Sequence, residues 1–208
     1  WRATTSPRRP AGQSGSNCSR SSVHWPVAGV PISTSVIETP PEGRLPIGTH
    51  VGPFDPKIVV ASVEQELRRG GQVFYVHNRV KSIEKRRQWL MDTLRSHGLT
   101  ANIALAHGQM TGPELEKIMW DFLHRKYDIL LATSIIESGL DIPTVNTLVV
   151  EEAEDFGLAQ LYQLRGRVGR ERMKAYCMLF YSEDANLTEE AQKRLSALKE
   201  FASLGSGF

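Results

Sequence analysis

The sequence predicts an α/β protein: a three-layer sandwich whose mainly parallel sheet is covered on both faces, followed by a C-terminal helical segment. Two observations lead there. From Val36 onward, short apolar runs of strand length alternate with longer stretches whose apolar residues recur at helical spacing. That alternation at this spacing builds parallel sheets buried on both sides. In addition, Gly, Pro or capping residues separate nearly every pair of runs, which fixes where each element begins and ends.

The elements follow in order. Pro40-Pro41-Glu42-Gly43 is a turn, and residues 44–51 supply an edge strand. Asp55-Pro56 reads as an N-cap followed by proline at the first helical position. Its helix carries Ile58, Val59, Val63 and Leu67, and Arg68-Arg69 suit the negative end of its dipole before Gly70-Gly71. Gln72–Val76 is an apolar strand closed by His77-Asn78. A helix over 83–97 places Ile83, Leu90, Met91 and Leu94 on one side and stops at Gly98. Residues 102–106 form the next strand, with His107-Gly108-Gln109-Met110 as its loop. Thr111 and Glu114 make a capping box for a helix bearing Leu115, Ile118, Met119, Phe122 and Leu123. Strands over 128–133, 147–150 and 175–181 and a last helix over 188–204, with Ala191, Leu195, Leu198 and Ala202 inward, complete the pattern.

Composition narrows the function classes. Of the 208 residues, 40% are hydrophobic and 23% charged, the balance of a soluble globular protein. The net charge of +2 is unevenly spread: residues 1–37 hold four arginines and no acid, leaving 21 basic against 23 acidic residues, or −2, elsewhere. Any nucleic-acid binding must therefore use a local patch. Two cysteines, Cys18 and Cys177, are too few for a disulfide framework and point to a reducing compartment. No apolar run reaches the ~20 residues of a membrane span, so a cytoplasmic protein without a membrane partner is expected. Residues 1–35, rich in Ser, Arg, Pro and Gly, bury too little apolar area to order themselves; they read as a disordered tail or as sequence not native to the domain.

One stretch carries the chemistry, Gly157-Leu158-Ala159-Gln160-Leu161-Tyr162-Gln163-Leu164-Arg165-Gly166-Arg167-Val168-Gly169-Arg170. As a continuous helix it sorts into three faces. Leu161, Leu164 and Val168 form an apolar stripe. Gly166 and Gly169 leave a strip for close backbone approach. Gln163, Arg167 and Arg170 project together, a set suited to phosphate oxygens because guanidinium forks match them. The alternative is a surface helix whose arginines pair with Glu151, Glu152 or Glu154. A second stretch, Thr133-Ser134-Ile135-Ile136-Glu137-Ser138-Gly139-Leu140-Asp141-Ile142-Pro143, offers hydroxyls and N–H groups at a strand end, a tight turn at Gly139 and a ribose acceptor in Asp141; it reads equally as a cap and a structural turn. One-handed crossovers place His77-Asn78, His107-Gly108, Thr133-Ser134 and Asp141 along one sheet edge, where ligands of such sheets bind.

Together Gly71–Arg79, His107–Met110, Ala132–Pro143 and Gln163–Arg170 resemble motif IV, the loop after it, motif V and motif VI of the C-terminal RecA-like motor domain of superfamily 2 helicases. Gly70–Tyr75, Ile136–Pro143 and Phe156–Leu161 are most similar to the double-stranded DNA translocases that act in transcription-coupled repair. The resemblance covers roughly residues 36–208. It divides the chain into a tail (1–35), a RecA-like domain (36–182) and the start of a translocation-motif helical hairpin (183–208), incomplete here. It implies that Arg167 and Arg170 reach an ATP γ-phosphate as arginine fingers, with Gln163 near the same phosphate. It also implies that Gly139 and Asp141 lie near the nucleotide, and that Asn78, His107, Gly108 and Thr133 contact the DNA backbone. Arg194 falls where the hairpin carries a coupling arginine; it reads otherwise as an ordinary helix-surface charge.

The implied cofactors, ATP and Mg²⁺, belong mainly to an N-terminal RecA-like domain. RNA polymerase and excision-repair proteins are implied partners through further domains. No Gly-Lys dipeptide and no Asp-Glu pair occurs, so the chain contains neither a P-loop nor the acidic Mg²⁺ motif, and no metal ligand set is expected. Two alternatives stay open: a free-standing RecA-like DNA- or protein-binding module without ATPase activity, and the corresponding part of a branch-migration helicase.

Overall fold

A computed structural model describes residues 47–133, 144–169, 173–182 and 188–203, with side chains to 200. The tail, the 134–143 segment containing Gly139 and Asp141, Arg170 and the chain's end lie outside the described residues.

Six strands, all parallel, form one sheet in the order β1-β6-β5-β2-β4-β3. They are β1 (Gly48–Pro53), β2 (Gln72–Val76), β3 (Ile103–Ala106), β4 (Ile129–Ala132), β5 (Val145–Val150) and β6 (Tyr176–Tyr181). The helices are α1 (Pro56–Arg68), α2 (Val80–Ser96), α3 (Gly112–Leu123), α4 (Leu158–Arg165) and α5 (Glu189–Ser203). A 3-10 turn, Ala153–Asp155, precedes α4. The expected sheet and elements are present, with boundaries shifted by a few residues. α2, for instance, begins at Val80, three residues before the expected start at Ile83.

Alternation along each strand divides the core in two. Phe74, Val76, Leu130, Leu148 and Leu179 meet Met119 and Phe122 of α3, Leu161 and Leu164 of α4, and Leu195 and Leu198 of α5. Val73, Tyr75, Ile129, Leu131, Val149 and Phe180 meet Val59 and Val63 of α1 and Ile83, Leu90 and Leu94 of α2. Crossovers running toward β3 thus lie on one face and those running back on the other, as one-handed connections require. Cys177 sits in the first core as a free thiol, which burial pushes up to about 12. Of the expected α3 core positions, Leu123, the last residue of the helix, is 39% exposed.

Local caps match the residues that supply them. Asp55 Oδ1 accepts from the Lys57 amide at 2.8 Å with Pro56 opening α1. Glu114 accepts from both the Thr111 amide (3.0 Å) and hydroxyl (2.8 Å), and the two bonds hold its carboxyl below the ordinary value.

The expected continuous helix through Arg170 is corrected. α4 ends at Arg165, and Gly166 caps it by donating to the Tyr162 carbonyl at 2.9 Å. Gly169 then turns left-handed at φ 77°, so the chain leaves the helix axis. Only glycine fits there: a Cβ would lie 2.9 Å from the Ala175 Cβ and 3.3 Å from Ile47. The close approach at Gly169 is therefore to the chain's own β1 and β6 flanks. Gln163 lies in α4, whereas Arg167 lies in the turn that follows it.

At the N-terminal edge of the sheet, the fully buried Glu66 accepts from Arg69 and from the Thr147 hydroxyl. Gly71 packs against that carboxylate, and its amide donates to the Glu66 carbonyl at 3.0 Å. A Cβ on Gly71 would overlap a side chain pinned from two sides. Gly71→Ala is expected to destabilise the fold by about 1–3 kcal/mol or somewhat more, read as a lowered urea midpoint; an unchanged midpoint would show that Glu66 can move aside.

Candidate nucleic-acid interface

All strand ends that point the same way meet at one edge. There the backbone ladder continues one step past the strands. His77 N donates to Ala132 O (2.9 Å), Thr133 N to Ala106 O (3.1 Å), Glu151 N to Val76 O (3.0 Å) and Phe54 N to Tyr181 O (3.0 Å). His107, Thr133, His77 and Glu151 therefore stand side by side on β3, β4, β2 and β5, at the ~4.8 Å spacing of neighbouring strands. Of the residues expected to share an edge, His77-Asn78, His107-Gly108 and Thr133 share it, while Ser134 and Asp141 lie outside the described residues.

Their exposure differs. Asn78 and Gly108 are exposed and His107 is half-buried. The His107 loop closes with Met110 N on the His107 carbonyl at 3.0 Å. Thr133 is only 5% exposed, and its amide is taken by the Ala106 carbonyl. Gln163 is exposed in the last turn of α4, and Arg167 is half-buried in the turn after it. Arg165, two residues before the first of the fingers implied by motif VI, is instead buried at 6% exposure. Arg194 is half-buried; its Nη2 donates to the Glu154 carbonyl at 3.1 Å and ties α5 to the turn before α4. Glu154 Oε1 accepts from the Ser182 amide at 3.0 Å, so the same turn holds the end of β6.

A cluster that the sequence pattern did not single out organises this edge. Glu151, 3% exposed, accepts from the Tyr75 hydroxyl through Oε1. Its Oε2 bonds His77 Nδ1 at 2.7 Å and pairs with Arg86 Nε at 3.1 Å. His77 Nε2 reaches the Ser82 hydroxyl at 2.8 Å, which ties the strand end to the first turn of α2. Arg86 lies over the rings of Trp89 (4.7 Å) and Phe54 (5.2 Å), so its charge is offset by one carboxylate and two π faces. Burial, and then the adjacent Glu151 charge, raise the Tyr75 phenol well above its ordinary value of 10.0 and keep it a donor. A carboxylate taken from water needs such a full set of donors. One signal was available: a Glu-Glu pair directly after the apolar run of β5 cannot both face solvent and continue the ladder.

Beside the cluster, Arg79 and Lys85, together with the cluster's Arg86 and Ser82 and with Trp89 and Glu152, line a cleft of about 380 Å³ along α2. Among the described residues no group of His, Cys, Asp or Glu is arranged to hold a metal ion, and no helix is long and apolar enough to cross a membrane.

The chain can be compared with known proteins on this footing. The helicase conserved C-terminal domain family matches residues 57–172. A transcription-repair-coupling factor of Staphylococcus haemolyticus is 51% identical over 174 residues, which cover 84% of this chain and 14% of that protein. The transcription-repair-coupling factor of Bacillus subtilis matches to the same extent. Among solved structures, RecG bound to a three-way DNA junction superposes with a TM-score of 0.65 at 37% identity, covering 79% of this chain and 22% of that one. The Mycobacterium smegmatis helicase Lhr, at 16% identity, TM-score 0.58 and coverage of 78% and 22%, shares the fold.

Two predictions test the cluster. Glu151→Ala strands His77 and Arg86 and is expected to cost about 3–5 kcal/mol, measured by urea unfolding near neutral pH. Because the Tyr75 phenol is raised in the folded protein, its share of stability is complete below pH 10.0 and is lost as pH rises beyond that value, where the unfolded phenol ionises first. Tyr75→Phe should flatten that alkaline decline; an identical decline would remove Tyr75 as its cause. The all-parallel sheet, the match over 57–172 and the similarity across most of the described residues place this chain in the helicase conserved C-terminal domain family, as a RecA-like domain of the superfamily 2 type.

Proposed function

We propose that the chain is the second motor domain of an ATP-dependent double-stranded DNA translocase acting in transcription-coupled repair. The observation that carries this reading is the row His107, Thr133, His77-Asn78 at one sheet edge, in a chain half-identical to transcription-repair-coupling factors. The chain spans 14% of the length of those relatives, so the P-loop, the bound Mg²⁺ and the polymerase and repair contacts would come from other parts of a longer protein.

In this reading Asn78, the amides of the His107-Gly108 loop and the Thr133 strand end hold DNA phosphates. Such contacts fix a strand without reading bases, which suits a motor that walks over any sequence. Arg167 and Arg170 would complete a nucleotide site on the partner motor domain. Arg167 lies in the turn that follows the Gly166 cap of α4. A guanidinium inserted into that site stabilises the charge that develops on the transferred phosphoryl group. Gln163, exposed at the end of α4, would orient near the same phosphate, and Gly139 and Asp141 would line the nucleotide's other side. Arg194, bound to the Glu154 carbonyl, would pass movement of this turn to α5.

Complementation tests the proposal. The isolated chain is expected to show no DNA-stimulated ATPase. Added to a separately produced P-loop motor domain of a transcription-repair-coupling factor, it should restore activity, and Arg167→Ala or Arg170→Ala should remove ~10³-fold or more of that gain. Restoration undiminished by both substitutions would sink the finger role.

A further inference from the structure

Arg79 follows Asn78 directly and is exposed (60% of its side chain), yet its guanidinium is already engaged. Its Nε donates to Glu152 Oε2 at 2.6 Å, and its Nη2 lies 3.8 Å from Asp155 Oδ2. An ion pair this exposed contributes little to stability. The backbone around it is nevertheless specialised: Glu152 is left-handed at φ 50°, a conformation uncommon outside glycine and concentrated at functional positions. Glu152 also leads straight into the turn before α4, the helix that carries Gln163 and precedes Arg167.

We infer that Arg79 is a phosphate-binding residue of this edge, held by Glu152 until a DNA phosphate replaces the carboxylate. The inference rests on the DNA reading above and adds a residue and a competitor to it. A phosphodiester offers the planar guanidinium the same kind of oxygen acceptor that the carboxylate does. The exchange therefore breaks no buried bond, and the dense charge of duplex DNA favours it at low salt. The cleft beside Arg79 provides room for the incoming phosphate, and the exposed Lys85 on its wall adds positive charge. Release of Glu152 also frees the entry of α4 from the β2–α2 loop, so DNA binding at Arg79 is felt in the segment that ends in Arg167.

A double-mutant cycle separates this exchange from simple repulsion. Binding of a short fluorescein-labelled duplex is followed by anisotropy over a series of potassium chloride concentrations. The proteins are the chain itself, Arg79→Ala, Glu152→Gln and the double variant, each first shown to melt as the parent does. Glu152→Gln is expected to tighten binding several-fold. Arg79→Ala should weaken it and flatten the slope of log K against log salt by about 0.9, one phosphate contact. In the Arg79→Ala background, Glu152→Gln should do nothing. A gain from Glu152→Gln that persists without Arg79, or no gain at all, overturns the inference while leaving the DNA edge standing. Absence of duplex binding by the parent chain at low salt overturns both.

Discussion

Every strand in this domain runs the same way, and most of the remaining architecture follows from that constraint. Parallel neighbours cannot be joined by a tight turn, so each connection must travel back across a face of the sheet. Five helices make the return journeys or cover them, and their apolar stripes meet the two faces of the alternating strands. The polar strand ends are then gathered at a single edge, where Phe54, His77, Thr133 and Glu151 extend the ladder by one residue each. A row of loops from distant parts of the chain becomes one surface without any loop having to be long.

That surface is held by a buried charge. Glu151 satisfies Tyr75 from β2, His77 from the following loop and Arg86 from α2, so three segments are locked to the end of β5 by one carboxylate. Its neighbour Glu152, half-buried, holds the exposed Arg79. Two adjacent acids thus do different jobs: the buried one fixes the frame, while the other pairs with a cation at the surface. Burial separates the roles, because a carboxylate with three donors in a dry setting cannot exchange partners readily, whereas a hydrated pair can.

The stretch richest in arginine shows how chain geometry edits a pattern. Gln163 and Arg167 keep helical spacing in the sequence, but Gly166 caps α4 and Gly169 turns left-handed against Ala175 and Ile47. Val168 still reaches the core, and Leu161 and Leu164 seat the short helix. Arg165 is drawn inward, while Gln163 stays outside. Arg167 lies in the turn after the helix.

The alternating pattern by itself determined the parallel sheet, the number and order of its strands and helices, the caps at Asp55 and Thr111, and the shared edge of the His77, His107 and Thr133 loops. These follow from local periodicity and short-range hydrogen bonding, which neighbouring residues specify. Only the tertiary structure decided that Thr133 is covered, that α4 stops before Arg167, and that Tyr75, His77, Arg86 and Glu151 share one set of bonds. Each depends on residues distant in sequence being brought within hydrogen-bond reach or on a side chain from another element filling the space. A carboxylate's role is set by who desolvates it, and no local pattern records that.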